Sequence, residues 1–439
     1  MNHPQDLTLR QQADAVRRGD ISAKELLDAT LERLRERDPA INATPVLFDE
    51  LSQVQISQAP AGPLYGVPIT VKDMYALPWR AARNGTLHNM IPAGASGPYR
   101  NLRDAGLIVV GIANQHELGM GTTGVYSAYG AMRNPWDFER CAGGSSGGSA
   151  AGVSARLVAG SLASDSGGST RIPAAYCGVV GLKLTYGSVP YDGYFGAATT
   201  FSAPGVITRD AGDARALAAA LVQRPLPQQS GSGLRIGVVR DPFWNDADQE
   251  TADVCQRALK LAGWKVTELK IENFELAVAA FLGRLIAEAG VPSPDVLASL
   301  SAPTRALLLA GMLAPARFVP RADRVRAAVR YSLAAAFDTV DFLAWPTSPA
   351  AAPTLEDTWI ALPSGRKPVD VPNVRQSSIA NLTGIPGISI PVGLNTSNLP
   401  LGLQLLGPWG SEARLLDAAE HMERVSEREF VNLLPPLAR

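Results

Sequence analysis

The sequence predicts an α/β fold, and three stretches carry that expectation. Gly66–Asp73, GVPITVKD, reads as a buried strand, with Val67, Ile69 and Val71 alternating with Pro68, Thr70 and Lys72. Tyr99–Ala105 reads as a helix and Leu107–Ile112 as the strand after it, a βα-type alternation. The third stretch, Cys141–Pro190, holds eight glycines between Cys141 and Gly168. A linker can be as glycine-rich, but it lacks apolar runs such as Cys177–Leu184. A glycine turn at Gly143–Gly148 is expected to open a helix of small residues running to about Leu157. A strand, Leu157–Ala163, follows, and a second glycine turn, Ser166–Ser169, presents its backbone. A helix of about eleven residues travels roughly 16 Å. A strand of about seven returns roughly 23 Å. The chain therefore comes back near its start, and Ser145 and Ser169 can meet. The glycines at 147, 148, 167 and 168 let backbone approach backbone and expose N–H groups, as an oxyanion site requires.

Composition narrows the function classes. The chain has 439 residues, of which 46% are apolar, enough for a sizeable core. Its net charge of −1 offers no electrostatic footprint for nucleic acid. Three cysteines, Cys141, Cys177 and Cys255, form no CxxC pair, which argues against a disulfide scaffold and a cysteine-bound zinc. The N-terminal stretch lacks the apolar core of a secretory signal, and no apolar run reaches the length of a membrane span. A cytoplasmic protein, with no nucleic-acid or membrane partner, is the expectation. The residues leave a homodimer open.

Along the chain, residues 7–38 read as two amphipathic helices. The second begins at Ser22, which forms a capping box with Glu25. Gly119–Arg140 is expected to be a long loop that lines a pocket. The chain is expected to be irregular from Pro190 to about Arg209. Gln223–Gly233 reads as a linker and Leu234–Val239 as a strand. Ala252–Ala262, Leu276–Ala289 and much of Pro303–Phe337 read as helices, making 240–340 a mainly helical covering region. Thr339–Trp345 reads as a buried strand and Gln376–Gly393 as a turn-and-strand run. Leu401–Gly407 and Ser411–Arg424 read as the last strand and helix.

The residues admit several chemistries. Gly143–Gly147 matches the G-x-S-x-G nucleophile elbow, but repeated glycines and serines satisfy that pattern by chance. The only histidine after it is His421, inside the last helix, so a Ser-His-Asp esterase lacks its base. A phosphate loop would need Gly-Lys-Ser/Thr, which is absent. A serine nucleophile could instead use a lysine kept neutral by burial. Lys72 and Lys183 are both candidates, and the residues do not choose between them. Read from its strand alone, Lys72 is an ordinary solvated side chain. In a parallel sheet covered on both faces it would be buried.

DSGGSTRIPAAYCGVVGLK, with CAGGSSGGSAAG and GVPITVKD upstream, resembles the amidase signature family. The likeness continues through MRNPWD, WPTSP, GIPGISIPVG and LPLGLQLLG, in the family's order, over residues 7–425. It implies one domain: a mixed, mostly parallel sheet wrapped by helices, with 66–210 as the signature core. It implies a Ser-cisSer-Lys triad, with Ser169 as nucleophile, Ser145 as bridging serine after a cis peptide, and Lys72 as base. The oxyanion donors would be the N–H groups of Ser166, Gly167, Gly168 and Ser169, with Asp165 and Arg171 as structural support. The implied activity is hydrolysis of a small-molecule amide through an acyl-enzyme, with no metal or organic cofactor. An A-type amidotransferase subunit carries the same triad. Ala142, Ser166, Leu184 and Ser188 depart from the family's usual residues without touching a catalytic atom. NQHELGMGTTGVYSAYGAMRNPWD resembles indoleacetamide-type hydrolases. Substrate contacts are expected from Tyr126, Tyr129, Tyr191 and Phe195, loop aromatics for which core packing is the competing reading.

Overall fold

The computed structural model describes residues 3–194, 198–290, 292–426 and 435–438. The chain begins with helices α1 (Leu9–Arg18) and α2 (Ala23–Arg37). Ser22 and Glu25 form the expected capping box, and Thr8 and Gln11 form a second one ahead of α1. Losing such a cap costs about 1 kcal/mol. Strand β1 (Val46–Leu47) and helix α3 (Asp49–Gln58) lead to β2 (Pro68–Lys72), α4 (Gly97–Asp104) and β3 (Ile108–Ala113). The end of the loop expected over 119–140 is a small hairpin, β4 (Arg133–Asn134) with β5 (Asp137–Cys141).

Next come α5 (Gly147–Ser154), β6 (Gly160–Asp165), α6 (Arg171–Cys177) and β7 (Val180–Lys183). The small-residue helix is shorter than expected. It stops at Ser154, Arg156 takes a left-handed φ of 55°, and the strand begins only at Gly160. The stretch expected to be irregular contains β8 (Ala203–Thr208), which lies between β6 and β7. Pro204 and Gly205 disguise it, because neither residue favours strands. Gly205 is needed for packing: a Cβ there would lie 2.3 Å from Thr170 Oγ1, at the start of α6.

The second half runs α7 (Ala211–Val222), β9 (Arg235–Val238), α8 (Gln249–Leu261) and β10 (Lys265–Glu268). Four helices follow, α9 (Phe274–Glu288), α10 (Pro294–Ser299), α11 (Ala302–Met312) and α12 (Phe318–Thr339), and then β11 (Phe342–Pro346). A hairpin, β12 (Trp359–Leu362) with β13 (Gly365–Pro368), precedes α13 (Asp370–Thr383). Most of the run read as turn-and-strand before Gly384 is therefore helix. The chain closes with β14 (Gly387–Leu394), β15 (Pro400–Leu406) and α14 (Glu412–Val425).

Eleven strands form one mixed sheet in the order β1-β3-β2-β6-β8-β7-β14-β15-β11-β9-β10. Parallel pairing falls in two blocks, β3-β2-β6 and β11-β9-β10, and the strands between them pair antiparallel. Both faces are covered. Strand β3 shows it: Val109 and Ile112 join one apolar layer, Ile108 and Val110 the other, the alternation being offset by a register shift against β2. The second layer is built from Leu27, Leu31 and Leu34 of α2 and Ala150, Ala151 and Val153 of α5. Val71 belongs to the first layer, so Lys72 turns towards the second, where α5 begins. No helix among the described residues is long and apolar enough to cross a membrane.

Candidate active site

The site forms where β2 and β6 end and α5 and α6 begin. Lys72 is the last residue of β2 and is fully buried. Its Nζ lies 2.7 Å from Ser145 Oγ and 3.0 Å from Ser164 Oγ. Burial lowers its pKa from the ordinary lysine value to about 7, with the Asp165 charge acting in the opposite sense. Asp73 turns away, as strand alternation requires, and binds Arg80 and the Gly85 N–H.

Ser145 follows a cis Gly144–Ser145 peptide, and its carbonyl accepts the His116 N–H at 3.0 Å. Ser146 caps α5. Its N–H donates to the Ser169 carbonyl at 3.2 Å and its hydroxyl to the Ser164 carbonyl at 3.2 Å. These two bonds tie the first glycine turn to the second and to the end of β6. Ser169 remains 7% exposed against 1% for Ser145.

The second turn is braced from beneath. Arg171 binds both Asp165 oxygens at 3.0 Å and donates to Gln404 Oε1, Asn381 Oδ1 and the Ser377 carbonyl. Burial alone would raise Asp165, but the Arg171 guanidinium holds it well below the usual carboxylate range. Removing one partner of such a buried pair typically costs about 3–5 kcal/mol. Asp165 also accepts the N–H groups of Gly168 at 2.7 Å and Thr170 at 3.2 Å. The Gly168 donor of the expected oxyanion set is therefore already engaged, because the carboxylate lies directly beneath it. Among the described residues the N–H groups of Ser166, Gly167 and Ser169 have no acceptor. Gly168 itself has φ +106°, and a Cβ there would meet Ser377 Oγ at 2.3 Å. Ser166 is fixed through its hydroxyl, 2.6 Å from Ser202 Oγ.

The expected substrate aromatics divide. The Tyr129 hydroxyl accepts from Arg80 at 2.9 Å, which places it in the Asp73 network. Tyr126 meets the His116 ring edge-on at 5.7 Å and lines a cavity of about 340 Å³ with His88, Glu117 and Leu300. Tyr191 packs on Tyr194 at 4.2 Å with its hydroxyl buried. Phe195 lies outside the described residues. Lys183, the other lysine candidate, gives its protons to the carbonyls of Leu184 and Ile385. His421 contacts the Ala262 carbonyl and stacks on Trp264, so it belongs to the packing of α14. Ser164, Ser377, Asn381 and Gln404 were not singled out by the sequence. Asn381 and Gln404 lie in or beside the distal motifs, which was the available signal.

Residues 25–416 match the Amidase family, and the chain belongs to it. It is thus an enzyme of amide carbon–nitrogen bonds. The A-type subunit of the glutamyl-tRNA(Gln) amidotransferase of Syntrophobacter fumaroxidans is 33% identical, over 96% of this chain and 98% of that protein. A crystal structure of an amidase superposes with a TM-score of 0.90 at 29% identity, covering 95% of this chain and 99% of the other. A 6-aminohexanoate cyclic dimer hydrolase complexed with substrate superposes with a TM-score of 0.86 at 25% identity, covering 99% and 100%.

Proposed function

We propose that the chain hydrolyses a small carboxylic amide through an acyl-enzyme on Ser169. The observation that carries this reading is a fully buried lysine 2.7 Å from the hydroxyl of Ser145. Neutral Lys72 takes the Ser145 proton while Ser145 takes that of Ser169. The Ser169 oxygen attacks the carbonyl carbon. The oxyanion that forms is held by the free N–H groups of Ser166, Gly167 and Ser169. Collapse breaks the C–N bond, and the nitrogen leaves with the proton returned from Lys72 through Ser145. Water then adds to the ester by the same relay and releases the acid. On this reading residues 7–425 work as one unit, because strands from 46 to 406 share one sheet.

A fluorophosphonate probe tests it. Labelling is expected on Ser169 and lost in Ser169→Ala, which should fold and be inactive. Labelling on Ser145 or Ser146 overturns the assignment. The amidotransferase relative favours a second reading, in which this chain is the amide-cleaving component of a larger assembly. Co-purification of a partner chain, with little amide hydrolysis by this chain alone, would select it.

A further inference from the structure

We infer that Ser164 is a positioning residue that orients the Lys72 amine towards Ser145. The inference rests on the acyl-enzyme reading above. A neutral primary amine has two N–H donors and one lone pair, and only the lone pair can take a proton. An amine free to rotate about its last C–N bond would present the lone pair to Ser145 for part of the time only. Ser164 Oγ, 3.0 Å from Nζ, accepts one N–H and stops that rotation. Ser145 Oγ, at 2.7 Å, then faces the lone pair. Among the described residues Nζ has no third polar contact, so these two hydroxyls define its orientation.

Ser164 is itself held rigidly. It is 1% exposed, near the end of β6, and its carbonyl accepts from the Ser146 hydroxyl, next to Ser145. One residue therefore fixes the base through its side chain and the bridging-serine turn through its backbone. Asp165, the next residue, braces the oxyanion turn. The charged and titratable groups around Lys72 are Asp165 on β6 and His116 on the loop after β3; Asp73 is turned onto Arg80.

An oxygen that accepts from Nζ favours the ammonium over the amine. Losing it should therefore move the acidic limb of the rate profile to lower pH, while misorientation lowers the rate at every pH. The test is steady-state kinetics of Ser164→Ala and Ser164→Thr on a small primary amide across pH, with Lys72→Met as control. In Ser164→Ala, kcat should fall about ten-fold or more, KM should stay nearly constant, and the acidic limb should shift down. Ser164→Thr keeps the hydroxyl and should restore both. A Ser164→Ala enzyme with normal kcat and an unshifted limb overturns the inference. So does a folded Ser164→Thr enzyme as poor as the alanine variant. Should Ser164→Ala fail to fold, Ser164→Cys, whose sulfur is only a weak acceptor, takes its place with the same expected and overturning results. An active Lys72→Met enzyme removes the parent reading as well. An inactive one beside a normal Ser164→Ala removes this inference alone.

Discussion

Lys72 and Lys183 sit at the ends of two strands of one sheet, both fully buried and both influenced by the Asp165 charge. Burial brings each to a pKa of about 7. They differ in what they touch. Lys72 meets two hydroxyls, and Lys183 meets the carbonyls of Leu184 at 3.0 Å and Ile385 at 2.8 Å. A carbonyl only accepts, so it anchors an N–H and passes nothing on. A hydroxyl accepts and donates, so it can hand a proton across. Burial sets the readiness of a lysine to be neutral, and the partner atoms decide whether that neutrality can serve a reaction.

The largest expected effect separates the two lysines by rate. Lys72→Met should lose roughly 10²–10⁴-fold or more in kcat, the scale of a general base. Lys183→Met should stay within about ten-fold per folded molecule, a smaller loss than that of a base. It strands two buried carbonyls, at about 1–3 kcal/mol each, so its cost should appear in thermal stability instead. Equal loss of turnover in both variants would erase the distinction.

The pH dependence sharpens it. Both folded-state pKa values lie below the ordinary lysine value of 10.5. The unfolded chain therefore binds more protons between about pH 7 and 10.5, and stability should rise with pH across that window. Below about pH 7 both states are protonated and the destabilisation is fully present. Either Lys→Met change should remove one lysine's share of this slope in denaturant titrations. Only Lys72→Met should abolish the acidic limb of kcat/KM near pH 7. A limb lost in Lys183→Met and kept in Lys72→Met would reverse the two roles.

The smallest effect concerns His116, which stands near Lys72 and whose backbone N–H donates to the Ser145 carbonyl. His116→Ala keeps that N–H and should hold turnover within about ten-fold, below the range of an acid–base group. A loss as large as that of Lys72→Met would put the imidazole into the relay.

What the sequence disclosed follows the range of the interactions. The Ser22–Glu25 box and the GVPITVKD strand are local and were legible. Strand β8 was not, because Pro204 and Gly205 obey the packing of Thr170 rather than strand preference. Helix α13 was hidden in the same way, since Ser377 and Asn381 bond to Gly167 and Asp165 more than 200 residues earlier. Ser164 escaped because strict alternation, extended from Thr70↔Ser161 and Val71↔Leu162, sets it opposite Asp73 rather than Lys72. From residue chemistry alone the choice between the two lysines stayed open, because it rests on neighbours distant in sequence, Ser145 and Ser164; only the likeness of GVPITVKD to the family's motif made it.

The reach of Arg171 also bears on how the protein is born. Its acceptors at Ser377, Asn381 and Gln404 are made long after the two glycine turns. A nascent chain folding from its N-terminus can form β2, α5 and β6 while those acceptors are still unsynthesised. Until they emerge from the ribosome, Arg171 is a buried cation short of partners and the turn above it is unsupported. Assembly of the nucleophile's surroundings thus waits on the C-terminal part of the chain, so a ribosome-bound fragment ending before Gln404 should be silent towards the same probe that labels the finished protein.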